Sequence, residues 1–239
     1  MKVAVCYSGL YRHFKGWVNN HKKITDFADS VYYSTWEGAP TEPPFDHVKF
    51  PEPVVDYDPY SVPLVQERWP RIYNAYQGSP RGKWLTKQII AHQLICDHIA
   101  DKGYDVIVRL RYDIWLGNHD WKSMIEKVYN ENIVISFGGW SGQFDTQPNV
   151  CEQLVEPSRK NGGLKMEGRI LDFANIHPAN KMKGTMDLHN NKQLCCATMG
   201  FTQVLGDPYP EQPINYGGGV MLTRYRTDQP NTHKPGTTL

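Results

Sequence analysis

Arg109, Arg111 and Asp113 stand two residues apart in Tyr104–Leu116, a stretch otherwise apolar enough to form a buried strand. Alternate side chains of a strand share a face. Ile107, Arg109, Arg111 and, if extended backbone continues, Asp113 therefore fall on one side, with Val106, Val108 and Leu110 on the other. Guanidinium groups on a buried face carry a large desolvation cost unless anions meet them. Two kinds of anion fit. One is an internal acid such as Asp105 or Asp113; the other is a diphosphate received in a cleft, which arginine's planar fork of donors suits. A carboxylate at the strand exit is also a ligand for Mg²⁺ or Mn²⁺, which makes Asp113 the candidate metal ligand.

Other residues add to this chemistry. The first apolar run, residues 2–7, exits as Ser8-Gly9-Leu10-Tyr11-Arg12. A Ser-Gly turn ahead of a helix presents backbone N–H groups and a hydroxyl to an anion or a uracil edge, and Arg12 adds charge. Trp36 either stacks on a base or sugar or serves as a core indole. His177 and His189 flank an expected helix, and either could complete a metal site or be a satisfied structural histidine. Cys195 and Cys196 lack a nucleophile pattern and read as core thiols. Two basic stretches, Arg81–Lys83 with Lys87 and Arg159-Lys160 with Lys165 and Arg169, are either solvated surface or, with Trp140 and Phe144, a place for a polyanionic acceptor.

These residues need elements to position them. A helical stripe (Phe14, Trp17, Val18, His21, Ile24, Ala28) follows the first strand, and Val31–Thr35 forms a second. The proline-rich span Ala39–Pro63 allows only a short extended piece at Val48-Lys49-Phe50. Helices follow at Leu64–Ala75, restarting at Pro70, and at Trp84–Ala100, with Gly103 ending the latter. After the Tyr104–Leu116 segment come a helix at Asp120–Tyr129, a strand at Asn132–Phe137, and a loop over Gly138–Gly168. A strand at Arg169–Ile176, a helix from Pro178 to Asn190 and a strand at Gly219–Arg226 complete the order. Alternation of this kind predicts an α/β fold, a mostly parallel sheet covered on both faces. Ligands in such sheets bind at the C-terminal strand ends where the order reverses, here after Tyr7, Thr35, Arg111 and Phe137.

Composition narrows the classes. Across 239 residues, 26 Lys+Arg against 25 Asp+Glu leave a net charge of +1. That excludes charge-driven disorder and nucleic-acid binding by bulk charge. No apolar run approaches the roughly 20 residues of a membrane span, and the N-terminus reads as a strand rather than a signal peptide. Five scattered cysteines without a CxxC pattern suit reduced thiols, and the expected location is cytoplasmic.

Several short motifs resemble one group of proteins. The opening KVAVCYSGLYRHF is similar to the start of bacterial and viral glycosyltransferase-like proteins, including the WavE lipopolysaccharide-synthesis family. Ser34-Thr35-Trp36 resembles their second-strand ending, and YDVIVRLRYDIWL their strand ending in Arg-x-Arg-x-Asp. ILDFANIHPANKM (Ile170–Met182) and Pro210-Glu211-Gln212 have counterparts as well. The resemblance implies a GT-A-like, Rossmann-type α/β/α sandwich over residues 1–227, followed by a tail from residue 228. It implies a donor site at Ser8, Gly9, Arg12, Trp36, Arg109, Arg111 and Asp113, with Asp113 doing the work of an Asp-x-Asp motif toward Mn²⁺ or Mg²⁺. Arg111 and Tyr112 precede Asp113 where that motif would carry its first acid, so Arg111 could itself supply positive charge.

Glycosyl transfer also needs a group that takes the acceptor proton, and Asp172 and Glu211 are the catalytic candidates. The reading is a glycosyltransferase moving sugar from a nucleotide-sugar, foremost a UDP-sugar, to a hydroxyl. The acceptor is a surface glycan or lipopolysaccharide, or a hydroxymethylated base of phage DNA. The rivals are a nucleotidyltransferase of the same broad fold and a non-catalytic glycan- or nucleic-acid-binding module.

Overall fold

A computed structural model describes residues 1–11, 17–138, 141–142, 174–182, 184–206, 214–217 and 220–223. In chain order its strands are β1 (Val3–Tyr7), β2 (Ser30–Trp36), β3 (Val48–Phe50), β4 (Val106–Leu110), β5 (Ile114–Leu116), β6 (Ile135–Gly138), β7 (Ser141–Gly142), β8 (Ala174–Pro178), β9 (Ile214–Gly217) and β10 (Val220–Thr223). Its helices are α1 (Trp17–Thr25), α2 (Pro63–Arg68), α3 (Pro70–Tyr76), α4 (Arg81–His98), α5 (Trp121–Glu131), α6 (Thr185–Asn190) and α7 (Ala197–Phe201). Seven strands form the main sheet in the order β3-β2-β1-β4-β8-β6-β9, and β5-β10-β7 form a small second sheet. The pairings β3-β2, β2-β1, β1-β4 and β6-β9 are parallel, and only β8 runs against its neighbours.

The expected α/β fold with a largely parallel sheet is present, with helices on both faces. Val3, Val5, Tyr7, Val106, Val108 and Leu110 pack with Ile24 of α1 and Trp121, Ile125 and Val128 of α5. On the other face Ala4, Cys6 and Ile107 meet Ile89, Ile90 and Ile95 of α4 and Phe201 of α7. Strands buried on both faces read as continuous apolar runs, which is why β1 and β4 stand out in the sequence. Because the sheet grows from β1 first toward β3 and then toward β4, the order reverses at the β1–β4 boundary.

Three local expectations need correction. Val18 of the apolar stripe is exposed, while Asn20 turns inward. Asn20 Nδ2 donates to the carbonyl of Leu116 (2.9 Å) and its Oδ1 accepts from the Leu116 N–H (2.7 Å). A buried amide satisfied at both ends outweighs a valine there. Second, extended backbone does not continue past Leu110: residues 111–113 turn, and β5 leaves for the small sheet, antiparallel to β10. Third, no helix begins at Pro178. The Ala179 N–H donates to the Asp105 carbonyl (2.9 Å), prolonging the pairing of β8 with β4, and α6 starts only after Gly184. Helix α7 and strand β9 have no counterpart in the sequence reading, and β7, which forms by pairing with β10, falls in the span expected as loop.

His21 ties α1 to the turn. Tyr7 Oη donates to its Nδ1, and its Nε2–H donates to the Ile114 carbonyl, each at 2.8 Å. Burial dominates its titration and lowers its pKa from 6.5 to about 4; the Ile114 carbonyl opposes the shift, and Lys23 adds to it. Unfolded chains then bind the proton first as pH falls, so this histidine's stabilisation is complete above pH 6.5 and is lost toward pH 4. Urea denaturation should show stability falling with acidification between pH 6 and 5 by about 1 kcal/mol per pH unit more in the wild type than in His21→Gln.

Candidate functional site

Three strand exits are locked together before any ligand arrives. Ser34 Oγ donates to the Tyr7 carbonyl (3.0 Å), and the Ser34 carbonyl accepts from Tyr112 Oη (3.0 Å). One residue of β2 thereby holds the ends of β1 and β4. Tyr7, Tyr33 and Tyr112 stack beneath this point, with ring centroids 5.0 Å apart for Tyr7–Tyr33 and 5.3 Å for Tyr7–Tyr112.

Above it lies a cavity of about 110 Å³. Its floor comes from Ser8 and Gly9 after β1, Trp36 at the end of β2, and Arg111 and Asp113 after β4; Trp84, Lys87 and Gln88 of α4 and Glu52 form the opposite wall. Five of the expected donor-site residues thus share one cavity at the order reversal, where open sheets receive ligands. Gly9 has φ +102°, a backbone that L side chains adopt only under strain. Ser8 is buried, and no hydrogen-bond partner meets its Oγ among the described residues. Such a group either carries a penalty of about 1–3 kcal/mol or awaits a ligand.

The two arginines divide their roles. Arg109 is 1% exposed and lies beneath the cavity rather than in its lining. Its NH1 donates to Asn175 Oδ1 (3.2 Å) and its NH2 to Gln88 Oε1 (3.5 Å), and its guanidinium sits 4.4 Å from the Phe201 ring centre. Arg111 reaches the cavity. Its Nε and NH2 donate to Asp113 Oδ1 and Oδ2 at 2.8 and 2.9 Å, and its NH1 to Gln88 Oε1 at 3.0 Å. Gln88 therefore accepts from both guanidinium groups. Of the two internal acids named for these arginines, Asp113 meets Arg111, whereas Asp105 accepts from the Lys2 N–H (2.6 Å).

Among the described residues, both carboxylates of the cavity lining are already engaged by cationic side chains. Mg²⁺ and Mn²⁺ need carboxylate oxygens, and both oxygens of Asp113 face a guanidinium that a cation would have to displace. The other acid of the lining, Glu52, holds Lys87 Nζ at 2.6 Å. A separate buried trio, His92, Cys96 and His177, could coordinate a divalent metal. His189 is not part of it and stands 3.5 Å from Tyr57 Oη.

Arg12, Asp172 and Glu211 lie outside the described residues, as do Trp140, Phe144, Arg159, Lys160, Lys165 and Arg169. Sequence reading missed Glu52, Trp84 and Gln88. Arg81–Lys83, expected ahead of the helix, form the first turn of α4, and Lys87 lies on the same helix as expected. The signal that could have found Trp84 was an indole at the start of a helix, where neither cap nor core requires one; it is 66% exposed. No protein-family profile matches the chain, and no curated protein is significantly similar to it.

Arg109 meets Asn175, Gln88 and the Phe201 ring, so it fills and orders the sheet–helix interface. Arg109→Ala should lose about 3 kcal/mol in urea denaturation.

Proposed function

We propose that the chain is a nucleotide-sugar-dependent glycosyltransferase with a GT-A-like arrangement, using a UDP-sugar and delivering the glycosyl unit to a hydroxyl of a glycan or of a hydroxymethylated DNA base. The observation that carries this reading is the convergence of the unpartnered Ser8 hydroxyl with Arg111 and Lys87 in one cavity at the sheet's order reversal. A diphosphate brings acceptor oxygens for all three.

In this reading the phosphate oxygens replace Asp113 and Glu52 as partners of the two cations. Charge that builds on the leaving diphosphate is then met by Arg111 and Lys87, held in place by the sheet and by α4. The acceptor oxygen bonds to the anomeric carbon, the carbon–oxygen bond to the diphosphate breaks, and its electron pair leaves with the nucleotide. The exposed ring of Trp84 offers a stacking surface for base or sugar, with the buried Trp36 in the same lining. Asp172 and Glu211 remain the candidates for accepting the hydroxyl proton.

A thermal-shift panel tests this. A matching nucleotide-sugar at a hundred times its Kd should raise the melting temperature by about 5–10 °C without added Mn²⁺. Arg111→Ala should abolish transfer with the native circular-dichroism spectrum kept. Release of pyrophosphate instead of nucleoside diphosphate would point to the nucleotidyltransferase. Binding of glycan or DNA that nucleotide-sugars leave unchanged would point to a binding module.

A further inference from the structure

On the face of the sheet beneath Arg109, three side chains that the proposed reaction does not use point at one another. His92 and Cys96 are one helical turn apart on α4, and His177 lies on β8. One donor atom from each lies within 4.8 Å of the others, and the three residues are buried. The separation His92 Nε2 to His177 Nε2 is 2.8 Å, and Cys96 Sγ is 3.6 Å from His92 Nε2 and 3.9 Å from His92 Nδ1.

A bland alternative exists. The Pro178 carbonyl can only accept, so His177 Nδ1 carries a proton toward it at 2.9 Å. A neutral His177 then accepts at Nε2 from His92 Nε2–H, and the Cys96 thiol would donate to His92 Nδ1. The sulfur position argues against that chain as the whole account. It stands nearer to Nε2, which already faces His177, than to the nitrogen it would have to address. Three donor atoms therefore converge on one point.

We propose that His92, Cys96 and His177 hold a zinc-class ion that pins α4 to β8. The ligand set is two imidazoles and a thiolate with no carboxylate, which selects Zn²⁺ over Mg²⁺, Mn²⁺ or Ca²⁺. Tetrahedral zinc with Zn–N near 2.05 Å and Zn–S near 2.3 Å sets N···N at about 3.3 Å and S···N at about 3.5 Å. The Cys96 Sγ–His92 Nε2 separation of 3.6 Å already matches, and the two rings would part by about 0.5 Å. Binding moves the His92 proton from Nε2 to Nδ1 and expels the Cys96 proton, so one proton is released per ion. His177 keeps its Nδ1–H on the Pro178 carbonyl, which fixes the ring as an outer-shell partner does. Arg109 bears on both histidines and disfavours added positive charge there. The thiolate of Cys96 offsets part of it, and Cys6, whose strand partner is Arg109, is the next sulfur on this face.

The test reads metal directly and does not depend on glycosyl transfer. Full-length protein purified with Zn²⁺ and desalted should carry one zinc per chain. Protein refolded with Co²⁺ should show thiolate-to-cobalt charge-transfer absorption and intense tetrahedral d–d bands. Cys96→Ser and His177→Gln should each lower bound metal at least tenfold, with Cys195→Ser unchanged. Wild-type protein that retains neither zinc nor cobalt after desalting would overturn the proposal and leave the trio as a hydrogen-bonded core cluster, whatever the variants do.

Discussion

A guanidinium buried on the central strand must be solvated by the protein itself, and much of the interface under the cleft answers that demand. Arg109 sits on β4, the middle strand of the main sheet, with one neighbour on each side: Cys6 of β1 and Asn175 of β8. Asn175 is a polar residue in a strand that is otherwise well buried, and its Oδ1 receives the guanidinium. Phe201 of α7 covers the cation with its ring face, which is worth about 2 kcal/mol where water is excluded. Gln88 of α4 receives the remaining reach. One charge thus recruits a strand and two helices.

The same constraint shapes the cleft above it. Gln88 has one carbonyl oxygen for two guanidinium groups, so the position of Arg111 is coupled to that of Arg109. Arg111 closes on Asp113 because the chain turns at residues 111–113, which brings the two side chains face to face in a way a straight strand would not. The cations at the cavity are therefore neutralised by the protein's own carboxylates, which keeps a half-buried positive cluster from destabilising the fold. Ligand recognition in such a site is exchange of one anion for another. That favours an anion with more oxygens than a carboxylate, as a diphosphate has.

Parity within β4 was readable because strand geometry is local: the shared face of Ile107 and Arg109 follows from alternation alone, whereas Arg111 reaches the cleft through the turn after Leu110. The Ser8-Gly9 turn was readable for the same reason. The opposite wall was not. Glu52, Trp84, Lys87 and Gln88 come from the proline-rich span and from α4, and only tertiary packing brings them across from β1 and β4. The turn after Leu110 was hidden as well, since the apolar Ile114-Trp115-Leu116 continues the look of a strand while Asn20, nearly a hundred positions earlier, captures Leu116 into a different sheet. His177 drew attention as a lone histidine. Its partners became visible only through the antiparallel register that sets Ile107 beside it.

Helix α4 joins these features. Trp84, Gln88, His92 and Cys96 recur every four residues, and on a helix of 3.6 residues per turn such a row drifts by about 40° per step. Over three steps the row winds from the rim, where Trp84 is largely exposed, through the cavity wall at Gln88, to the buried face at His92 and Cys96. A straight apolar stripe would have followed the core with mixed spacings of three and four. The strict spacing of four instead carries chemistry from solvent to interior along one element. Any shift of α4 along its axis would move the indole, the amide shared by the two arginines and the His–Cys pair together, so fixing the buried end of the helix also fixes the wall of the cleft.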